Sequence, residues 1–545
     1  MRFCGNCGAR LAEAPATPAT TGMLPVPGFN PERLGVMMGP DLLERFRQAG
    51  LEAAGQRRNV TVLFVDLTGY TSLSEQLDSE DVFDFLQHYL RRLANAVYKY
   101  EGTVDKFTGD GLMALFGAPI AYENHAELAV RSALDMQAEV GHLSQEIGRR
   151  LKIEPRAHIG LHTGSVVVGS LGSNMMMNYT AIGDTVNLAR RLEEATGPGK
   201  ILVSEAVYRL TKPLFDYEAV PPLNLKGIAQ PVAGYLVVGP RAAPASVRGV
   251  EGLHAPLVGR DAELDRLTQA ALALTQKGEG QVMLVTGNAG LGKSRLTSEF
   301  KRFLRQAGVR VVEGRSLTYR RSAAYWVFSD ALHNYLSLSP DSPEAPVREQ
   351  LSRRAHAALG LKAPDTLPYL EHLLGLQPAD APSAERIQYL EPGQLRQQVF
   401  LAVRDLLLAE AQRQPLALIL EDLHWADEVS LDLALFLLDS IRQAPVLLYI
   451  ISRPIEGGTQ GKIVEHASKR LADRFTAIHL RSLSPDQSER LLSQLLAVPD
   501  LPEHLRDQIL QRAAGVPFYL EEILRMLIDA GVLRREGNRW RLTSR

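Results

Sequence analysis

A twelve-residue segment, KFTGDGLMALFG, is the feature that most constrains how this chain folds. Phe107 and the apolar run 112–116 have the composition of strands, and Gly-Asp-Gly between them suits a tight turn, because glycine and aspartate tolerate positive φ. The segment therefore predicts a β-hairpin with Asp110 at its tip. A second aspartate, Asp66, ends the strand-like run VTVLFV. If sheet pairing brings the two carboxylates together, they form a site for divalent cations above a phosphate.

Length and composition predict a cytoplasmic protein with several domains. A chain of 545 residues exceeds what one hydrophobic core holds together, so it should divide into about two to four domains. The composition is 45% hydrophobic and 22% charged with a net charge of −2, which gives no general attraction to nucleic acid or to an anionic membrane. No apolar run has the length of a membrane span, and the first residues lack a signal-peptide core.

Composition shifts and hydrophobic periodicity divide the chain into segments. An Ala/Pro/Thr-rich linker ends near residue 30, and a helix is predicted at about Asp41 to Ala53 within a helical lead-in at 31–56. Two α/β domains are predicted at 57–238 and 257–480, separated by a Pro/Ala-rich linker at 239–256. The remainder, 481–545, is predicted to be helical and to end in a small hairpin, with a winged-helix-like fold.

In the first predicted domain, the hydrophobic periodicity predicts a long helix from about Ser79 to Tyr100. Its apolar face follows helical spacing and consists of Val82, Phe83, Leu86, Tyr89, Leu90, Leu93 and Val97. A second helix is expected at about Glu123 to Arg149, and a third begins near Asp184, an acidic residue close to the helix N-terminus.

Residues 57–238 resemble a class III nucleotide cyclase domain, on the segments FVDLTGYT, KFTGDG, NYTAIGDTVNLARRLE and NLKG. The resemblance implies a ferredoxin-like fold in which Asp66 and Asp110 hold two Mg²⁺ or Mn²⁺ ions. It also implies that Asn187 orients the ribose and that Arg191 meets the charge developing on the α-phosphate. Their i, i+4 spacing places both on one helical face. Lys226 is the implied triphosphate contact.

The same resemblance assigns base recognition to Lys106 and Thr180. An ammonium donates to adenine N1, and a threonine hydroxyl accepts from the exocyclic amine, whereas guanine presents the opposite pattern. ATP is therefore the predicted substrate, and threonine at this position resembles the subgroup that contains the bicarbonate-responsive soluble cyclases. In the family each site combines metal ligands from one chain with base and transition-state contacts from another. This implies a head-to-tail homodimer with two equivalent sites.

A second motif, GNAGLGKS, fits the phosphate-binding pattern G-x-x-x-x-G-K-[ST] between a predicted strand and a predicted helix. Its backbone N–H groups would wrap the phosphates of ATP with Mg²⁺, through Gly287, Gly290, Gly292, Lys293 and Ser294. With LALILEDLHWAD, ISRP and GVPFYLEEI, it resembles a signal-transducing NTPase of the STAND type. The resemblance implies that Glu421 and Asp422 serve metal and water and that Arg453 senses the γ-phosphate. It also implies slow, switch-like hydrolysis that regulates the cyclase.

Two other functions stay open at this point. One is a guanylate cyclase, against which Lys106 and Thr180 argue. The other is a transcription regulator whose cyclase domain only dimerises, with a basic C-terminal hairpin on DNA. That hairpin would use Arg534, Arg535, Arg539, Arg541 and Arg545, with Trp540. A complete set of cyclase residues favours the enzyme, and the upstream signal or protein partner stays unidentified.

The N-terminal cysteines form a third motif. Cys4 and Cys7 in FCGNCGARL have the C-x₂-C spacing of one zinc-ribbon knuckle, and the chain has 2 cysteines in total. Two thiolates do not complete a tetrahedral site. Either the knuckle is the second half of a ribbon whose first half the start omits, or two copies complete a Cys₄ zinc site across the dimer.

Overall fold

The computed structural model describes most of the chain after residue 55, in fifteen ranges: 56–68, 78–120, 122, 124–151, 155–173, 176–228, 230–241, 257–317, 323–340, 342–378, 381–454, 459–496, 501–529, 531–536 and 539–543. The lead-in helix predicted at about Asp41 to Ala53 and the Cys4–Cys7 knuckle with the linker that follows it lie outside these residues. Of the linker predicted at 239–256, only residues 239–241 lie within them. Where the chain is described, none of its helices combines the length and the apolar composition needed to cross a membrane.

The first α/β unit is built on an eight-stranded mixed sheet. Its strands are β1 (Gln56–Thr68), β2 (Thr103–Phe107), β3 (Leu112–Phe116), β4 (Arg156–Ser173), β5 (Met176–Ile182), β6 (Ile201–Ser204), β7 (Phe215–Leu223) and β8 (Val232–Pro240). The order across the sheet is β2-β3-β1-β4-β6-β8-β7, and β5 pairs with β4 off this path. The predicted hairpin is confirmed as β2 and β3, which pair antiparallel. β1 lies in the centre, antiparallel to both β3 and β4.

Four helices cover this sheet: α1 (Ser79–Lys99), α2 (His125–Leu151), α3 (Asp184–Glu194) and α4 (Glu205–Thr211). Side chains alternate across a strand, so β1 contributes to two cores. Leu63, Val65 and Leu67 pack with α1 and α2 on one face. Val60, Val62 and Phe64 pack on the other face in the same core as Ala189 of α3. This second face positions α3.

The predicted apolar face of α1 is wrong at one position. Phe83 is 64% exposed, whereas Phe85, which the prediction omitted, is 8% exposed and stacks on Tyr89. Residues two apart on a helix lie about 200° apart, so Phe83 and Phe85 cannot share a face. The buried stripe runs through Phe85, Tyr89 and Leu93.

Close packing of α3 on β4 depends on a glycine. A Cβ on Gly160 would lie 2.1 Å from the backbone nitrogen of Glu193, near the end of α3. A side chain at this position would separate the helix from the strand. The absence of one lets the backbones of β4 and α3 come into direct contact.

The second α/β unit has a parallel five-stranded sheet in the order β10-β11-β12-β9-β13. The strands are β9 (Gln281–Thr286), β10 (Arg310–Arg315), β11 (Leu416–Glu421), β12 (Val446–Ser452) and β13 (Phe475–His479). One face packs on α5 (Asp261–Lys277) and α6 (Lys293–Gln306). The helices α7 (Trp326–Leu336), α8 (Glu344–Leu359), α9 (Ala363–Leu373), α10 (Ala381–Gln388), α11 (Pro392–Arg413), α12 (Glu428–Leu438) and α13 (Thr459–Arg470) follow, and most pack on the other face.

A third hydrophobic core lies in the last described part of the chain. It is formed by α14 (Pro485–Leu496), α15 (Glu503–Ala513) and α16 (Pro517–Asp529), with β14 (Leu533–Glu536) and β15 (Arg539–Leu542). β14 and β15 pair antiparallel, as the sequence predicts for the last residues.

Candidate functional site

The structure brings Asp66 and Asp110 together at one end of β1. Asp66 directly follows Val65, the last residue of β1 that pairs with β3, and the turn of the β2–β3 hairpin carries Asp110 against it. Gly111 allows this approach, because a Cβ there would lie 2.2 Å from the carbonyl oxygen of Val65 and 2.8 Å from Oδ1 of Asp66. Burial raises the pKa of Asp66 to about 6, and the nearby charge of Asp110 and a hydrogen bond to it act in the same direction.

Two residues that the sequence analysis missed adjoin these carboxylates. Asp66 pairs in register with His158 across β1 and β4. Ligand atoms of Asp66, His158 and Glu193 all lie within 4.8 Å of one another. His158 Nε2 is 2.7 Å from Glu193 Oε1, and this hydrogen bond is the main cause that raises the pKa of His158. The cross-strand position opposite Asp66 is the signal that could have indicated His158.

This donor set fits a divalent cation. Burial is the main cause of the raised pKa of Asp66, and repulsion between the two half-buried carboxylates adds to it; a bound cation relieves that repulsion. Carboxylate oxygens are also the ligands that Mg²⁺ and Mn²⁺ prefer. Asp66 and Asp110 would hold the metal, while Glu193 is already engaged by His158.

We expect Asp66→Asn to stabilise the metal-free protein near pH 7.5. The folded-state pKa of Asp66, about 6, lies above its ordinary value of 3.8, so ionisation in the folded state lowers the free energy of unfolding as pH rises from about 4 to about 6. The full shift corresponds to about 3 kcal/mol, which partial exposure to solvent reduces to about 1 kcal/mol. Thermal unfolding at pH 4 and pH 7.5 checks this.

The gain should be present at pH 7.5 and absent at pH 4. Asp84→Asn, an exposed change on α1, serves as the control. Added Mg²⁺ or Mn²⁺ should stabilise the unsubstituted protein at pH 7.5 but not Asp66→Asn. An equal effect of Asp66→Asn at both pH values would contradict the prediction.

Helix α3 carries the two predicted transition-state residues. Asn187 is exposed, and Arg191, one turn later, donates from Nη1 to Oε2 of the exposed Glu194. The hydrogen bond from Arg191 lowers the pKa of Glu194. Gly183 directly precedes α3, and its φ of 147° is a conformation that residues with side chains rarely adopt.

The two predicted base-reading residues are also neighbours. Lys106 Nζ lies 3.4 Å from Thr180 Oγ1, across β2 and β5. Both contact Asp105, which is 4% exposed and which the sequence analysis missed. Its Oδ2 accepts from Thr180 Oγ1 at 2.7 Å and from the Ala181 backbone nitrogen at 3.2 Å, and its Oδ1 is 3.1 Å from Lys106 Nζ. A buried carboxylate needs such partners, and its place next to Thr103 and Val104 at the buried start of β2 is the signal that was available.

Lys226 is the predicted residue that the structure does not bring to the others. It is exposed in the turn that follows β7. Within the described ranges, no hydrogen bond or ion pair joins it to the carboxylates, to α3 or to Lys106. Nor, among the described residues, does a hydrogen bond or ion pair join the Lys106–Thr180 pair to the Asp66–Asp110 pair.

The glycine-rich motif lies at the carboxyl edge of the parallel sheet, between β9 and α6. Gly290 and Gly292 have φ values of 80° and 88°, as the tight phosphate-binding turn requires. The cleft encloses about 640 Å³, partly open to solvent, and it contains Lys293, Ser294, Glu421, Asp422 and Arg453. Lys293 Nζ donates to the carbonyl oxygens of Gly287 at 2.7 Å and Asn288 at 2.8 Å. The structure therefore gathers every P-loop, acidic and arginine residue predicted for this site at one sheet edge.

Known family models match three successive parts of the chain. Residues 52–239 match the family of adenylate and guanylate cyclase catalytic domains. Residues 256–450 match the family of AAA ATPase domains, and 484–541 match a domain of unknown function. The chain contains a cyclase domain and an AAA ATPase domain. The cyclase family's description covers both purine substrates, so it leaves the choice of base open.

Individual relatives match different shares of the chain. An uncharacterized protein of Rhizobium meliloti is 27% identical over 481 residues, which are 86% of this chain and 44% of that protein. Adenylate cyclase 1 of the same organism is 35% identical over 34% of this chain and 28% of its own length. Adenylate cyclase of Anabaena cylindrica is 32% identical over 33% of this chain and 36% of its own length. The chain thus spans less than half the length of each of these relatives.

Two solved cyclase structures each match about a third of the chain. The adenylyl cyclase CyaB from P. aeruginosa is 37% identical and covers 34% of this chain and 97% of its own, with a TM-score of 0.34. The guanylyl cyclase Cya2 is 34% identical over 34% of this chain and 95% of its own, with a TM-score of 0.32.

Proposed function

We propose that this chain is an adenylate cyclase that converts ATP to 3′,5′-cyclic AMP and pyrophosphate at a site shared by two copies. The observation that carries the choice of ATP is the hydrogen bond from the Thr180 hydroxyl to Asp105. Because the hydroxyl hydrogen is engaged by Asp105, the lone pairs of Thr180 Oγ1 face outward as acceptors. They suit the exocyclic amine of adenine, whereas the carbonyl at the same position of guanine would meet another acceptor.

Lys106 completes the recognition of adenine. Its ammonium has only donors to offer, and adenine N1 is an acceptor, whereas N1 of guanine carries a hydrogen. Asp105 holds the ammonium beside Thr180, so the two residues present one donor and one acceptor side by side. A site with this pattern leaves polar groups unpaired when guanine binds, which lowers the rate with GTP.

The remaining residues divide the chemistry between them. Asp66 and Asp110 would hold divalent cations, which lower the pKa of the ribose 3′-hydroxyl and neutralise the departing pyrophosphate. Asn187 binds and orients the ribose. Arg191, released from Glu194, donates to the α-phosphate oxygens as charge develops on them. Lys226 remains a proposed triphosphate contact that must be brought to the site by the partner or by closure.

Two copies would complete each site. Among the described residues, the Lys106–Thr180 pair and the Asp66–Asp110 pair form separate groups. A head-to-tail homodimer joins the base-reading pair of one copy to the carboxylate pair of the other, which gives two equivalent sites.

The AAA ATPase domain is proposed to bind ATP with Mg²⁺ and to regulate the cyclase domain as a STAND-type switch. Its cleft combines the glycine-rich turn and Lys293 for phosphates with Glu421 and Asp422 for metal and water. Arg453, directly after β12, would sense the γ-phosphate.

The test is cyclic nucleotide formation from ATP and from GTP, each with Mg²⁺ and with Mn²⁺. We expect cyclic AMP to form with a kcat/KM about 100-fold above that for cyclic GMP, because guanine leaves polar groups unpaired. An equal or greater kcat/KM with GTP would make the chain a guanylate cyclase. If a folded dimer forms neither cyclic AMP nor cyclic GMP, the result would favour a cyclase domain that serves only in dimerisation.

A further inference from the structure

The nucleotide cleft of the ATPase domain is bounded by residues from both domains. On one side lie the glycine-rich turn, the ends of β10, β11 and β12, and Arg453. On the other side lie Tyr122 and Asn124, which belong to the cyclase domain and connect β3 to α2. The Tyr122 hydroxyl donates to the carbonyl oxygen of Glu101 at 2.9 Å, which fixes the ring against the cyclase domain.

Helix α16 touches the glycine-rich turn at its first residues. The backbone nitrogen of Phe518 donates to the carbonyl oxygen of Gly290 at 3.2 Å. A Cβ on Gly290 would lie 2.9 Å from Cβ of Phe518 and 3.0 Å from Cγ1 of Val516. The turn that wraps the phosphates therefore packs directly on the start of α16.

The later turns of α16 contact the cyclase domain. Glu522 Oε2 accepts from Nδ2 of Asn59 at 2.8 Å, and Met526 Sδ lies 3.9 Å from Oγ of Ser165. Asn59 and Ser165 are cross-strand partners in β1 and β4. Glu522 is 13% exposed, and it also forms an ion pair at 3.1 Å with Arg525 of the same helix.

The cyclase strands at this contact also support α3. The hydroxyl of Thr185, in the first turn of α3, donates to the carbonyl oxygen of Ser165 at 2.9 Å. α3 carries Asn187 and Arg191, the residues proposed to act on the ribose and the α-phosphate. A continuous series of contacts thus runs from the phosphate-binding turn through α16 and Ser165 to α3.

We propose that Tyr122 and Asn124 form part of the nucleotide site of the ATPase domain, and that α16 couples occupation of that site to the cyclase rate. The ligand is a nucleoside di- or triphosphate. This inference rests on the proposed function, and it adds that the cyclase domain itself contributes binding residues. Coupling between two sites is a difference in free energy, so nucleotide binding changes the cyclase rate only if the contacts made with Asn124 and Tyr122 differ between two arrangements of the domains.

The first part of the proposal, that Tyr122 and Asn124 belong to the nucleotide site, is tested by calorimetry of ADP and Mg²⁺ binding to the full chain. ADP is the probe because it lacks the pyrophosphate leaving group and is not cyclised. Asn124→Ala and Tyr122→Leu should each weaken binding by about tenfold, the usual effect of losing one contact in a desolvated site. Gln87→Ala, which removes an exposed carboxamide from α1 of the same domain, should leave the affinity unchanged. Thermal unfolding verifies that each variant is folded.

The reference variant is Lys293→Ala, which removes the phosphate-binding ammonium. If ADP binds with equal affinity to Lys293→Ala and to the unsubstituted chain, the proposed nucleotide site of the ATPase domain is wrong. If binding depends on Lys293 but not on Asn124 or Tyr122, only the present inference is wrong.

The second part of the proposal, that α16 couples the two domains, is tested by the cyclase rate with and without ADP. ADP should change kcat in the unsubstituted chain. Lys293→Ala should lose part of this change, and the lost part is the response that comes from the ATPase domain. Asn59→Ala, which removes the hydrogen bond to Glu522, should reduce that part by at least about threefold while the chain stays folded. An ADP response that is the same in Lys293→Ala, or undiminished in Asn59→Ala, would overturn the coupling.

Discussion

An Asp110→Ala chain mixed with an Arg191→Ala chain is expected to regain cyclase activity that neither chain has alone. Each substitution should reduce kcat by at least about 100-fold, because one removes a metal ligand and the other removes charge stabilisation in the transition state. If each site takes its carboxylates from one copy and α3 from the other, a heterodimer has one site with both defects and one intact site. Equal mixing should then restore about a quarter of the original activity, since half of the dimers are heterodimers.

A second mixture provides the control. Asp66→Ala and Asp110→Ala both remove carboxylates from the same side of the site, so each site of their heterodimer lacks one ligand. This mixture should stay inactive. Heterodimer formation is verified with two affinity tags. Recovery in the control mixture, or none in the first mixture although heterodimers form, would mean that the site is not shared in the proposed way.

Lys106→Met is expected to abolish most of the preference for ATP. Methionine keeps the length of the side chain but removes the donor that faces adenine N1 and the cation that Asp105 holds at 3.1 Å. Loss of a charged donor should lower kcat/KM for ATP by about 100-fold, whereas the value for GTP should change little, so the ATP to GTP ratio falls. The measurement is kcat/KM for both nucleotides.

Lys200→Met is the matched control for this change, because Lys200 is an exposed lysine of the same domain beside β6. Its kcat/KM values should equal those of the unsubstituted chain. A Lys106→Met variant that loses activity equally with ATP and GTP would indicate a role in folding or in phosphate binding, and base recognition by Lys106 would be refuted.

Local patterns predicted the elements that carry the site. The hairpin at β2 and β3 follows from its Gly-Asp-Gly turn, and the strand Gln281–Thr286 follows from its apolar run before the glycine-rich motif. These signals are short-range, because turn chemistry and side-chain periodicity act within about ten residues. The start of α3 near Asp184 is of the same kind.

Residues brought in by tertiary contacts were not predicted. Asp105 and Glu193 face partners that are distant in the sequence, as the hydrogen bond between Asp105 and Thr180 illustrates. His158 became visible only through the register of β4 against β1. The contact between Asn59 and Glu522 joins residues 463 positions apart, and no periodicity relates two such positions.

Gly160 has a consequence for anyone who wishes to engineer this protein. Because the backbones of β4 and α3 meet there without an intervening side chain, no space is left between strand and helix for an added side chain or chemical label. A light- or drug-responsive group attached at position 160 would push α3, with Asn187 and Arg191, away from β4. Fusions at the ends of the cyclase domain leave the strand–helix pair intact, and they are where a synthetic input should be attached.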